Sequence, residues 1–247
     1  MKTKFLSGIN EDGQLKSDIG FKSLKEYNRK TLNEIIYDDL KARILRGDIS
    51  SDDKLQEDSL TALYETSRTP IRDALRRLAQ EDIIEKRNYG GYIIKELTIG
   101  DIEEIFNLRA VLESYAAALA TRRVTSDEIV EMEKILSQSR DAVNNNDFES
   151  CVNLNTIFHS YLYNASKSDR LLKIIYNLWD YFYRYRKVIY RTRHHLEDSY
   201  KDHRLMLEKM KEGDERVVEQ IVKEHVYNAL CAYKEEVEKK QNILSDS

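Results

Sequence analysis

Apolar residues recur at helical spacing over most of the chain. From Thr31, the positions Leu32, Ile35, Ile36, Leu40 and Ile44 fall on one face, and Gly47 supplies a C-terminal stop. Leu60, Leu63 and Tyr64 mark a short second helix. A third is predicted with Thr69 as cap, Pro70 at the first helical position and Asp73 in the first turn, burying Ile71, Leu75 and Leu78. The period then changes. Two short β-prone runs, Ile83-Ile84 and Tyr92-Ile93-Ile94, flank a polar tip ending in Gly90-Gly91, which predicts a hairpin. After Thr98 the helical period returns over segments near 101–122, 126–144, 147–165, 169–190, 196–212 and 214–239. Polar joints separate them at Thr125-Ser126-Asp127, Asn144 to Asp147, Ser166 to Asp169 and Gly213-Asp214. Six helices on short connections imply an antiparallel bundle.

Residues 1–27 hold no sustained period and carry Gly8, Gly13 and Gly20, so a mobile extension is expected there. The expected organisation is mainly α: the extension, then three helices plus a hairpin over 28–97, then an all-α antiparallel bundle over 98–241. A length of 247 residues suits two domains of ordinary size, and eight Gly with one Pro disfavour an all-β fold rich in turns. Met1 to Asn10 lacks the apolar run of a signal peptide, and no stretch approaches the ~20 apolar residues of a membrane span. A cytoplasmic protein without membrane contact is the expectation. Cys151 and Cys231 have no zinc-ribbon or CxxC spacing and are expected as reduced core residues.

The net charge of −4 excludes a general polyanion binder. Its distribution leaves room for a local one: the first 95 residues hold 18 Lys/Arg against 17 Asp/Glu, with a basic cluster between Arg68 and Arg87. Three helices and a hairpin in this order form the layout of a winged helix-turn-helix, in which the second helix of the motif enters the major groove N-terminus first. Ser67, Arg68, Thr69 and Arg72 stand at that end, and Arg76 follows Arg72 by one turn on the face opposite Ile71, Leu75 and Leu78. Arg72 suits a guanine edge, while Arg76 and Arg77 suit phosphates. Lys86, Arg87 and Gly90 belong to the wing. The charge pattern by itself is equally that of a solvated helix face.

The run Ser67-Arg68-Thr69-Pro70-Ile71-Arg72-Asp73-Ala74-Leu75-Arg76-Arg77-Leu78 resembles the recognition helix of the GntR family of bacterial regulators. Leu55 to Leu60 is loosely similar to that family's second-helix entry, and Gly90-Gly91-Tyr92 to its wing. Asp58 stands where some members carry a basic DNA contact, and Asp82 where a glycine is usual. Phe106-Asn107-Leu108-Arg109-Ala110-Val111-Leu112-Glu113 resembles the first helix of the FCD domain, the helical bundle of the FadR-like branch. The resemblance implies a transcriptional regulator that binds a pseudo-palindromic double-stranded operator as a homodimer and responds to a small organic acid.

Three of the five histidines fall on apolar stripes of three different predicted helices: His159, His203 and His225. One such histidine is ordinarily a hydrogen-bonded core residue. Three facing one core, with Asn155 one turn before His159, match how bundles build metal sites. The set is similar to the Asp-x-x-x-His, His, His metal site of FCD domains, with Asn155 replacing the aspartate. Three imidazoles suit a divalent ion such as Zn, Ni, Cu or Fe, and the amide weakens the set by one negative charge. Arg109 sits on the seam Ile105, Leu112, Ala116, Leu119, either paired with Glu113 or acting as a fork for a carboxylate effector. The aromatic and basic mixture from Trp179 to His195 follows helical spacing and is expected as a core helix, with His194 and His195 unpartnered at its end. A metalloenzyme using the histidines to activate water is a second class. Against it, no acid shares the histidine stripes and HExxH spacing is absent. A DNA-binding scaffold with purely structural histidines is a third.

Overall fold

Helix α1 (Leu32–Arg46) ends on Gly47, whose φ of 81° gives the left-handed turn that closes a helix. A computed structural model describes this and the rest of the chain over residues 30–50, 53–87, 90–189 and 193–245, without the side chains of 182–193 and 240–245. The expected N-terminal extension lies outside the described residues. Helices α2 (Glu57–Leu63) and α3 (Arg68–Gln80) follow. The start of α3 differs from expectation: Ser67, not Thr69, holds the cap position. Pro70 therefore lies third in the helix, where its missing amide is harmless because first-turn amides have no carbonyl partner.

Strands β1 (Ile84–Lys86) and β2 (Tyr92–Ile94) pair antiparallel, with Ile84 opposite Ile94 and Lys86 opposite Tyr92. The turn into β1 uses Asp82 at φ 54°, the left-handed conformation that glycine adopts without steric cost. Tyr92 also bridges to Leu55 through two backbone hydrogen bonds of 2.8 and 2.9 Å. Gly91 makes that approach possible: its φ is +77°, and a Cβ would lie 3.1 Å from the Leu55 carbonyl oxygen. Ile36, Leu40, Ile44, Ile71, Leu75, Leu78, Ile84 and Ile94 close one core beneath the three helices and the hairpin.

The remainder is helical: α4 (Ile99–Arg123), α5 (Ser126–Asn144), α6 (Phe148–Asn164), α7 (Asp169–Ile189), α8 (Arg193–Glu212) and α9 (Glu215–Ser245). Thr98 and Thr125 cap α4 and α5 by accepting the amides of Asp101 and Glu128, as Ser/Thr caps do. α4 packs most extensively on α9 and also meets α6 and α7, while α5 lies against α6 and α8. Two apolar clusters fill the bundle, one around Phe158, Ile175, Met206 and Met210, the other around Ile102, Phe106, Leu196 and Val226. Cys151 is in the second, and burial pushes its thiol up to about 11. Cys231, expected in the core, is exposed instead. Leu230 and Tyr233 take the inner face of α9, and residue 231 falls outside it. No described helix is long and apolar enough to cross a membrane.

The two units meet at α1 and α7. Lys41 Nζ lies 2.6 Å from Asp180 and 2.7 Å from Glu81, and it donates to the Tyr37 hydroxyl at 2.9 Å. Burial works against the lysine's charge, but these partners outweigh it and raise its pKa. Tyr181 donates its hydroxyl to the Glu81 carbonyl at 2.5 Å. Arg77 stacks over the Tyr37 ring at 3.7 Å.

Candidate DNA interface and three-histidine site

Helix α3 buries Ile71, Ala74, Leu75 and Leu78. That leaves Ser67, Arg68, Thr69, Arg72, Arg76 and Arg77 exposed, with Lys86, Arg87 and Gly90 exposed on the hairpin. The arginines are not equivalent. Arg68 pairs with Asp58 at 2.9 Å, and Arg72 donates from Nε to Glu57 at 2.7 Å. Both acids stand in the first turn of α2, where the helix dipole favours negative charge. Glu57 engages Arg72 through Nε, and the edge formed by the two terminal nitrogens is one that can donate twice to a guanine. Arg77 faces the other way, tied to Tyr37 and, at 3.3 Å, to Glu81. By sequence, Arg76 and Arg77 share one role; the position of α1 sets Arg77 apart.

In the bundle, α6 supplies His159, α8 His203 and α9 His225, exposed by 5%, 2% and 6%. Their Nε2 atoms converge: His159 lies 3.0 Å from His203 and 3.2 Å from His225. A tetrahedral ion with Zn–N bonds of 2.0–2.1 Å needs nitrogens ~3.3–3.4 Å apart, so the donor set fits such an ion with little movement. The outward nitrogens are held separately. His225 Nδ1 meets Asp202 at 3.0 Å, and His159 Nδ1 meets the Tyr163 hydroxyl at 3.1 Å. Tyr163 donates its proton to Glu113 at 2.7 Å, so its oxygen accepts from His159. The proton of His159 therefore resides on Nδ1, and the Nε2 lone pair faces the cluster.

Asn155 is buried beside this group, with its amide oxygen accepting from Ser199 at 3.2 Å. Arg109 has the ion-pair partner: its Nε donates to Glu113 at 2.7 Å in a fully buried setting. Tyr163, Asp202 and Ser199 went unassigned from sequence, and Glu113 was named only as a partner for Arg109. Tyr163 follows His159 by one turn, the spacing that could have found it; the others converge only through packing. His194, expected without a partner, meets Asp198 at 3.1 Å.

The arrangement of a winged unit before a helical bundle carries family relationships. The profile of bacterial regulatory proteins of the gntR family matches residues 32–94, and that of the FCD domain matches residues 104–228. The chain belongs to the GntR family, with an FCD domain. Among its relatives, the HTH-type transcriptional regulator YdhC of Bacillus subtilis is 28% identical over 198 residues, spanning 80% of this chain and 88% of that protein. The gluconate operon transcriptional repressor of Bacillus licheniformis is 31% identical over 140 residues, 57% of each chain. The structure of McbR/YncC from Escherichia coli superposes with a TM-score of 0.71 at 22% identity, covering 84% of this chain and 99% of that one, which shows a common fold.

This GntR regulator keeps His159 and His203 neutral. Burial, then the neighbouring His203, His225 and Arg109, lowers the His159 pKa well below 6.5, and burial with His225 does the same for His203. Neutral imidazole is the form that ligates metal. The unfolded chain takes up protons that the folded metal-free protein refuses, so this stabilisation is complete above the ordinary histidine pKa. It is lost as pH falls through that value toward the depressed ones. Thermal melts of metal-free protein at about pH 7.5 and about pH 5.5 should show the lower melting temperature at the lower pH. The loss should be smaller in His203→Gln. A parent whose melting temperature does not fall with pH would contradict the neutral assignment.

Proposed function

We propose that this protein is a ligand-responsive transcriptional regulator of the bacterial cytoplasm, reading a pseudo-palindromic operator as a homodimer. A divalent ion held in the bundle would form part of its effector site. The single observation that carries the DNA reading is the exposed arginine row of α3, with Arg72 oriented by Glu57, within a gntR-type domain. Arg72 is the base reader in this proposal, Arg68 and Arg76 contact the backbone, and Lys86, Arg87 and Gly90 of the wing lie along it. Arg72→Ala should cost about 1–3 kcal/mol at the operator and relax sequence preference. Arg76→Ala should weaken all DNA more evenly and flatten the salt dependence. Operator binding by Arg72→Ala equal to the parent's would overturn this assignment.

The ion would be held by His159, His203 and His225, with Asn155 as a fourth, weaker donor once released from Ser199. It would present a Lewis-acidic centre to which a small carboxylic acid adds its oxygen. Support comes from three buried imidazoles whose Nε2 atoms converge, a donor set that one shared cation would satisfy at once. Zinc or nickel suits the donors. Metal analysis should give about one ion per chain, lost in His203→Ala and bound more tightly by Asn155→Asp. No ion in metal-supplemented protein would leave the histidines as core residues. Arg109, already paired with Glu113, would reach an effector only by giving up part of that pair. The metalloenzyme alternative has no support in these residues, since Asp202 is engaged by His225 and Glu113 by Tyr163.

For the dimer, Leu108, Val111 and Tyr115 form an exposed apolar row on α4, at 48%, 60% and 52% exposure. Self-association through the helical domain would cover it. The parent should sediment at twice the 29.1 kDa of one chain, and Val111→Glu should dissociate it. A parent that remains monomeric at micromolar concentration would rule out this interface.

A further inference from the structure

Glu113 has no solvent exposure, and its carboxylate receives donors from three helices. Oε1 accepts from Arg109 of α4 at 2.7 Å and from the indole Nε1 of Trp179 on α7 at 2.8 Å. Oε2 accepts from the hydroxyl of Tyr163 on α6 at 2.7 Å. An intrahelical ion pair with Arg109 alone would not require the other two. Each of them leads somewhere. Tyr163, itself fully buried, holds Nδ1 of His159. Trp179 precedes Asp180 and Tyr181, whose side chains grip Lys41 of α1 and the Glu81 carbonyl at the end of α3. The indole also meets the His159 and Tyr163 rings edge-on, with centroids 6.2 and 5.7 Å apart.

We propose that Glu113 is a positioning residue shared by the three-histidine site and by the helix on which the DNA-binding domain rests. Through Tyr163 it sets the tautomer and ring orientation of His159; through Trp179 it seats α7, and with it Asp180 and Tyr181. The two bonds compete for one carboxylate. An ion that draws Nε2 of His159 toward itself polarises Nδ1–H, strengthens its bond to Tyr163 and redistributes the acceptor between Tyr163 and Trp179. The seating of α7, and so the attitude of α3, becomes a second readout of site occupancy. Coupling then requires only that the ion favour one of two α7 seatings over the other. This inference rests on the metal reading above.

The obvious variant, Glu113→Gln, strips a buried arginine of its counter-charge and risks unfolding. Two gentler variants of the full chain each remove one donor: Tyr163→Phe and Trp179→Phe. Cobalt(II) alone serves as probe, followed by its visible absorption, with operator affinity measured with and without the ion. Tyr163→Phe should bind cobalt about 10- to 100-fold more weakly with an altered spectrum. Trp179→Phe should keep the parent's spectrum and nearly its cobalt affinity, yet lose the parent's change of operator affinity on metal binding. Asp180→Asn should lose that change as well. A parent-like spectrum and affinity in Tyr163→Phe would overturn the positioning role. An undiminished metal effect in both Trp179→Phe and Asp180→Asn would overturn the link to α7. A parent that binds no cobalt removes the metal reading and this inference with it, whereas a parent that binds cobalt without any change at the operator removes only the link.

Discussion

A carboxylate shut away from water must find its donors within the chain, because leaving it unpaired costs several kcal/mol. Glu113 meets that demand with an arginine, a phenol and an indole drawn from α4, α6 and α7. The hydrogen bonds are directional where apolar packing is not, so they fix the rotation of α6 and α7 about their axes more tightly than their Leu, Ile and Phe contacts do. With α6 held in this rotation, His159 points Nε2 at His203 and His225 rather than at an apolar neighbour. The polar centre of the bundle is therefore one connected network, and the geometry of the histidine cluster follows from how the carboxylate is satisfied.

The exposed arginine face of α3 follows a different rule. Arg68 and Arg72 are paired with Asp58 and Glu57, but at about half exposure or more. Such pairs contribute roughly 0–1 kcal/mol each, too little to hold the arginines against a phosphate or a guanine. They do bias orientation and lower the attraction for DNA at large. Their presence accords with a chain whose net charge is negative and whose basic cluster between Arg68 and Arg87 is local.

Between the two lies a junction of partly buried, charge-assisted contacts. Lys41 bridges Glu81 and Asp180, and Tyr181 takes a backbone carbonyl at the end of α3. Partly buried ion pairs of this kind are sensitive to small displacements, since the desolvation cost persists when the attraction weakens. A junction built so has few intermediate positions, which is the property a two-state reading of an internal site requires.

Hydrophobic period and turn chemistry sufficed to lay out the winged unit, the hairpin and a six-helix bundle, because burial of a stripe is a local property repeated every turn. The gntR-like run around Arg72 and the three histidines on apolar stripes were also visible in one dimension, since both depart from what their faces should carry. Glu113 was visible only as the i+4 partner of Arg109, and Asp202 and Trp179 had no local mark at all. Their roles depend on which helices lie side by side and at what rotation, a matter decided by long-range packing that brings residues 50 and 66 positions apart onto one carboxylate. The same holds for the exposed Cys231 and for Arg77, drawn to Tyr37 and away from Arg76. Sequence by itself determined the elements and the chemistry available to them; the tertiary structure alone decided which of those groups share a partner, because a hydrogen bond is made between atoms in space and has no period along the chain.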